Sequence, residues 1–238
     1  MRIRLLGSLF ATPFLLVACS SGPGGPVTLD SDDQKASYAL GQDLGRNLGS
    51  SGSRIDTDAL IAGFVDALSD VDPQLPVEEQ QQALMTFGQS VQQARQQEAA
   101  ELAESNTAEG EAYLAENGAR EGVVTTESGL QYEVLAEGEG PNPTAQDAVQ
   151  LHYTGTLIDG TQFDSSRDDD PETEDMPAVF PVNGVIPGFS EALQLMNVGG
   201  RYRIVIPGNL AYGPQGAGGA IGPNATLIFD VELLAIQQ

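Results

Sequence analysis

The sequence predicts an α+β chain: an N-terminal helical region with a long connecting helix, then a C-terminal antiparallel β-sheet wrapped around one short helix. Three observations predict it. From Ser31 to about Asn117 apolar residues recur at three- to four-residue steps, and no proline stands between Pro76 and Pro141. After Asn117-Gly118 the period changes to two. Within that alternating half a single segment, marked by Phe189, Ala192, Leu193 and Met196 before Gly199-Gly200, returns to helical spacing.

The first helix is signalled by Ser31 with Gln34, a capping box, and by Asp32 and Asp33 beside the positive end of the helix dipole. Tyr38, Leu40, Leu44 and Leu48 form its apolar stripe. A second helix starts at Asp56 or Thr57, with Leu60, Ile61, Phe64, Val65 and Leu68 on one face, and Pro73 and Pro76 close the connection after it. In the long third helix Pro76 fits the first turn, and Glu78 and Glu79 complement the dipole. Its repeat of Leu84, Phe87, Val91, Ala94 and Leu102 runs through the stretch Val77–Asn106, and Gly88 weakens it locally by roughly 1 kcal/mol relative to Ala. So few large apolar residues hardly bury a sufficient core alone. The first two helices are therefore expected to need a second copy of the chain; folding back on the long helix as a monomer is the alternative.

In the alternating half, Val149, Leu151 and Tyr153 share one strand face, as do Tyr202, Ile204 and Ile206. The last strand is expected over Ala225–Ile236, with Leu227, Phe229, Val231 and Leu233 on one side. An apolar sheet face needs a cover, and the short helix is the only candidate.

Charge and composition exclude several functions. The chain has 34 acidic against 10 basic residues, a formal charge of -24, so nucleic-acid phosphates and anionic lipid head groups repel it and no nucleic-acid partner is expected. One cysteine, Cys19, permits no internal disulfide; with one histidine, His152, it makes a zinc site or a Cys-His nucleophile pair untenable. No metal and no cofactor are expected. Asp168–Asp170 reads as a solvated loop run without calcium-loop spacing.

The N-terminus reads as an address. Arg2 and Arg4 precede an apolar run from Leu5 to Ala18, shorter than the about 20 residues that span a bilayer. Leu16-Val17-Ala18-Cys19 resembles the lipobox of bacterial lipoproteins, in which the cysteine becomes the first mature residue and is acylated (palmitate-type) through its sulfur. An ordinary signal peptide with a chance cysteine is the alternative. Ser20 after the cysteine resembles the pattern sorted to the outer membrane, and Ser20–Thr28 has the Gly/Pro/Ser composition of a tether. The expected organisation is a signal at 1–18, a tether at 19–30, a helical dimerisation region at 31–75, the connecting helix at 76–121 and the sheet domain at 122–238. The expected place is the bacterial cell envelope, lipid-anchored at the outer membrane and facing the periplasm or the surface.

Three blocks in the sheet half carry a specific resemblance. His152-Tyr153-Thr154-Gly155 with Phe163-Asp164-Ser165-Ser166, then Gly184-Val185-Ile186-Pro187-Gly188-Phe189, then Leu210-Ala211-Tyr212-Gly213 with Gly222-Pro223-Asn224-Ala225-Thr226-Leu227-Ile228-Phe229, resemble in order the signatures of FKBP-type peptidyl-prolyl isomerases. The N-terminal helices, with Tyr113, Leu114 and Asn117, resemble the dimerisation region of the macrophage-infectivity-potentiator subgroup. The resemblance implies an isomerase, or rotamase, that assists folding of exported proteins by holding Xaa-Pro bonds in an apolar aromatic pocket. It implies homodimers, proline-containing polypeptide substrates and macrolide inhibitors.

By the same resemblance the catalytic positions are Tyr153, Phe163, Asp164, Ile186, Tyr212 and Phe229, with Val185, Phe189 and Ile221 binding substrate. The backbone N–H of Ile186 and the Tyr212 hydroxyl are expected to donate to substrate carbonyls, Asp164 to fix Tyr153, and Phe189 to form the floor. Strand aromatics are otherwise most often plain core, and His152, alternating with Tyr153, is expected to face away as a structural residue. The chain departs from the family in having no tryptophan floor, in Ala178 where a further pocket aromatic is usual, and in Ala220 before Ile221. A roomier pocket with weaker macrolide binding is expected. The alternative function is a proline-segment-binding chaperone or surface protein with little turnover.

Overall fold

The computed structural model describes residues 27–49, 55–167 and 176–237; the signal segment, Cys19, most of the tether and Asp168–Asp170 lie outside them. Contacts divide the chain into two compact units, residues 1–91 and 92–238.

The first unit holds α1 (Asp32–Gly49), α2 (Thr57–Leu68) and the beginning of α3 (Val77–Gly118). Local capping chemistry sets these starts. The Gln34 N–H donates to Ser31 Oγ at 3.2 Å while the Ser31 N–H donates back to Gln34 Oε1 at 3.0 Å, a reciprocal box. Asp56 caps α2 by accepting the Ala59 N–H at 2.9 Å. Pro76 stands just before α3 rather than inside its first turn, and its carbonyl accepts the Gln80 N–H at 3.0 Å. Neither α1 nor α2 buries a residue, and Tyr38, Leu40, Leu60, Phe64 and Leu68 all stay exposed in the single chain.

In the second unit the last turns of α3, beyond Leu102, are held by polar and backbone contacts. Asn106 Nδ2 donates to the Pro223 carbonyl at 2.7 Å, and Gly110 packs so closely on Thr226 that a Cβ would collide with its hydroxyl. Near the end of α3, Asn117 is 5% exposed; its Nδ2 donates to Gln131 Oε1 at 2.8 Å and its Oδ1 accepts Arg120 Nη1 at 2.8 Å. Gln131 Nε2 in turn donates to the Leu114 carbonyl at 2.8 Å. Asn117→Leu strands the Gln131 oxygen, and a loss of roughly 1–3 kcal/mol is expected from the denaturant midpoint at constant m-value. An unchanged midpoint would show that the junction tolerates an unpaired amide.

The sheet comprises β1 (Val123–Thr125), β2 (Gln131–Ala136), β3 (Ala148–Leu157), β4 (Gln162–Ser165), β5 (Ala178–Pro181), β6 (Arg201–Ile206) and β7 (Leu227–Gln237). Its order is β1-β2-β6-β7-β3-β4, with β5 also pairing β3, and every pairing is antiparallel. β7 alternates as the sequence predicts: Leu227, Phe229, Val231 and Leu233 are buried. It begins two residues after Ala225, because Asn224 turns the chain at φ 56° and Thr226 packs on Gly110. The short helix α4 (Pro187–Leu195) buries Phe189, Ala192 and Leu193 in one core with Leu151, Ile204 and Val231. On the solvent side of the sheet, Arg203 forks Asp230 across β6 and β7 with two bonds of 2.9 Å, which raises its guanidinium above its ordinary pKa.

Candidate functional site

Five aromatic rings from five different elements meet over the inner face of the sheet. Period-two alternation on β3 turns Tyr153 inward, β4 brings Phe163, β5 Phe180, α4 Phe189 and β7 Phe229. Phe189 and Phe229 stand edge to face with centroids 4.9 Å apart. Phe163 meets Phe229 at 5.6 Å, and Tyr153 lies 5.7 Å from Phe180, 6.3 Å from Phe229 and 6.4 Å from Phe189. Edge-to-face contact is the arrangement that ring quadrupoles favour at these separations.

Gly155 on β3 makes this approach possible. A Cβ there would lie 2.7 Å from the Phe163 ring and 2.8 Å from the Phe229 ring. Gly155→Ala is expected to destabilise the fold by about 1–3 kcal/mol through overpacking and to lower activity by displacing both rings. Thermal unfolding together with an isomerase assay checks this; wild-type values in both would refute it.

The polar part of the site is small. Tyr153 donates its hydroxyl to Asp164 Oδ2 at 2.6 Å, and the Ser165 N–H donates to Asp164 Oδ1 at 2.9 Å, so both carboxylate oxygens are held. Burial pushes the Tyr153 phenol well above its ordinary pKa, and the hydrogen bond to Asp164 and the Asp164 charge push it further. The phenol therefore stays protonated and acts as a donor.

Val185 and Ile186 precede α4, both partly buried against the core, and Ile186 occupies the cap position where an amide need not bond within the helix. Tyr212 follows β6 in a turn, is 42% exposed, and its hydroxyl has no hydrogen-bond partner among the described residues. Ile221 is buried in the core cluster and its carbonyl accepts the Ala217 N–H at 3.0 Å. The structure thus gathers Tyr153, Phe163, Asp164, Phe189 and Phe229 by direct contact. His152 bonds Ser166 (Nδ1 to Oγ, 3.2 Å) rather than any ring of the cluster. Ala178 pairs with Leu151 on β3 and adds no ring; Ala220 is exposed.

Sequence reasoning missed Phe180 as a member of the cluster. Its signal was present: it stands two residues beyond Ala178, on the same face of the strand, and pairs with Val149. Among the described residues no three of His, Cys, Asp and Glu stand together as metal ligands. The arrangement offers apolar walls, one locked phenol–carboxylate pair and few polar groups. That suits binding a bond whose chemistry needs neither a nucleophile nor a base.

Comparison with known proteins agrees with this geometry. Residues 140–234 match the FKBP-type peptidyl-prolyl cis-trans isomerase domain, and residues 33–134 match the domain amino-terminal to it. The chain is 47% identical over 210 residues to the FKBP-type 22 kDa peptidyl-prolyl cis-trans isomerase of Escherichia coli K12, covering 88% of this chain and 98% of that protein. It is 42% identical over 212 residues to the outer membrane protein MIP of Legionella longbeachae, covering 89% of each. The crystal structure of FkpA from Escherichia coli superposes with a TM-score of 0.69 at 40% identity, covering 88% of this chain and 99% of that one.

Proposed function

Since the chain belongs to the FKBP-type peptidyl-prolyl cis-trans isomerases and is an enzyme of that class, we propose that its five-ring cluster, Tyr153–Asp164 and two unengaged donors form the site where an Xaa-Pro bond is twisted. The observation that carries this reading is the meeting of Tyr153, Phe163, Phe189 and Phe229 around one locked phenol.

The barrier to amide rotation, roughly 18–20 kcal/mol, comes from resonance that the twisted transition state loses. Water stabilises the polar planar amide, so apolar walls that exclude it narrow the gap to the twisted form. Only contacts that strengthen on twisting accelerate the step. In this reading the Ile186 N–H and the Tyr212 hydroxyl hold carbonyls on either side of the proline. Asp164 holds Tyr153 as a wall, Phe189 serves as the floor, and Val185 and Ile221 complete the pocket. The test is exchange NMR on an Xaa-Pro peptide with and without a macrolide. Turnover abolished by the macrolide supports the reading; turnover that ignores a bound macrolide places the chemistry elsewhere.

The surroundings of the enzyme follow from the N-terminal half. A lipobox-like Leu16–Cys19 and an outer membrane protein among the relatives support acylation at Cys19 and a place in the cell envelope, where exported chains are the substrates. The exposed faces of α1 and α2 support a homodimer, with Leu40 71% and Phe64 53% exposed in one copy. Light scattering on residues 20–238 is expected to give twice the mass per particle of the chain, and removal of residues 30–75 to halve it. A single-chain mass in both would sink the dimer. A second reading, a chaperone that holds proline segments with little turnover, is favoured by the smaller Phe189 floor. Tyr212→Phe combined with Asp164→Ala separates the two: aggregation suppression that outlasts lost turnover belongs to chaperoning.

A further inference from the structure

The pairing of β3 has a gap. On one side of this strand, β5 covers Ala148–Leu151 and β4 covers Thr154–Thr156, and Tyr153 falls between them. Its N–H and carbonyl point into the interval, since both are engaged there by one residue that lies just beyond the end of β4. The Ser166 N–H donates to the Tyr153 carbonyl at 3.0 Å, and Ser166 Oγ accepts the Tyr153 N–H at 2.9 Å. A side-chain oxygen thus replaces the ladder partner that a strand would have supplied.

The same three-residue segment grips Tyr153 at its other end. Asp164 takes the phenol hydroxyl at 2.6 Å, and Ser165 fixes Asp164 through its own N–H. Backbone and ring of Tyr153 are therefore held by Asp164–Ser166 as one clamp: Ser165 Oγ also donates to the Tyr153 carbonyl at 3.2 Å, while Ser166 Oγ, itself 3.2 Å from His152 Nδ1, is the acceptor of the Tyr153 N–H. Ser166 is half-buried, so water does not fully substitute for it.

We infer that Ser166 is a positioning residue for isomerisation, setting the Tyr153 ring and the Tyr153–Asp164 bond by closing the gap in the β3 ladder. This rests on the reading of Tyr153 and Asp164 as substrate-facing. Alanine removes the acceptor. Cysteine keeps most of the volume but offers only a weak acceptor, and threonine keeps the hydroxyl. Distance from the pocket means that the effect passes through the pair and vanishes when the pair is already broken.

The experiment is a double-mutant cycle on the full chain, measuring kcat/KM for an Xaa-Pro peptide and checking folding by circular dichroism. Ser166→Ala is expected to lower kcat/KM about tenfold, one hydrogen bond's worth, and Ser166→Thr to restore it to within about twofold of wild type. In an Asp164→Ala background, Ser166→Ala is expected to add little. Should Ser166→Ala fail to fold, Ser166→Cys carries the same comparison. Equal fold-losses in both backgrounds would mean that Ser166 merely stabilises the hairpin and would overturn the inference. So would wild-type turnover in Ser166→Ala while Asp164→Ala is impaired. If Asp164→Ala itself turns over normally, the reading of the pair fails, and the role of Ser166 falls with it.

Discussion

Phe229→Ala is expected to lower the unfolding free energy by roughly 3–5 kcal/mol and to remove most isomerase turnover. Phe229 is 6% exposed and lies within 6.3 Å, centroid to centroid, of Phe189, Phe163 and Tyr153, so its removal opens a cavity that three rings border. Those neighbours cannot collapse into it, because each is anchored on a different element: α4, β4 and β3. In the ladder, residue 229 pairs with Gly155 on one side and Ile204 on the other, so the backbone stays fixed while the side chain goes. Stability and activity should fall together, since the rings that form the core are the ones proposed to line the site. Calorimetry is expected to show the midpoint reduced by on the order of 10 °C. A decrease smaller than a few degrees, or turnover near wild type, would mean that the cluster is core only.

Asp164→Ala tests the polar half of the site with little cost to the core, since Asp164 is exposed. Its loss is expected to lower kcat/KM by roughly 10- to 100-fold, the scale of one hydrogen bond to a charged group. A second readout is the pH dependence of stability. The folded state raises the Tyr153 pKa, so it retains a proton that the unfolded chain releases above about pH 10. Stability from this group is therefore full below that pH and is lost as pH rises beyond it. In Asp164→Ala the hydrogen bond and the carboxylate charge no longer contribute, while burial, the largest cause, remains. Alkaline unfolding of the variant should start from lower stability, and the pH-dependent loss should end at a lower pH and be smaller in total. An unchanged total loss above about pH 10 would show that Asp164 has no hold on the phenol in solution.

Features written in local chemistry were legible from the chain itself. Ser31 with Gln34 and Asp56 before Thr57 announce helix starts because a cap is a contact within four residues. The buried face of β7 is legible because side chains on a strand alternate with an invariant period. What stayed hidden depends on register. Phe180 reads as any strand aromatic until β5 is known to pair Ala178–Pro181 with β3. Ser166 reads as the second half of a Ser-Ser turn until β4 and β5 are seen to leave Tyr153 uncovered. What Asn106, Gly110 and Asn117 do was hidden for another reason: they hold the end of α3 with amides and close backbone approach, which leave no apolar period to read.

The edge-to-face cluster has a consequence for the thermodynamics of substrate capture. Each of its rings turns about only two side-chain bonds, and these are already restrained by packing on neighbouring rings. If proline segments bind there as proposed, no long flexible side chain must be frozen along these walls, so little conformational entropy is surrendered by the protein. The ordering cost falls on the client instead. Unfolded chains whose proline segments are already stiff are thus the ones this rigid enclosure admits most cheaply.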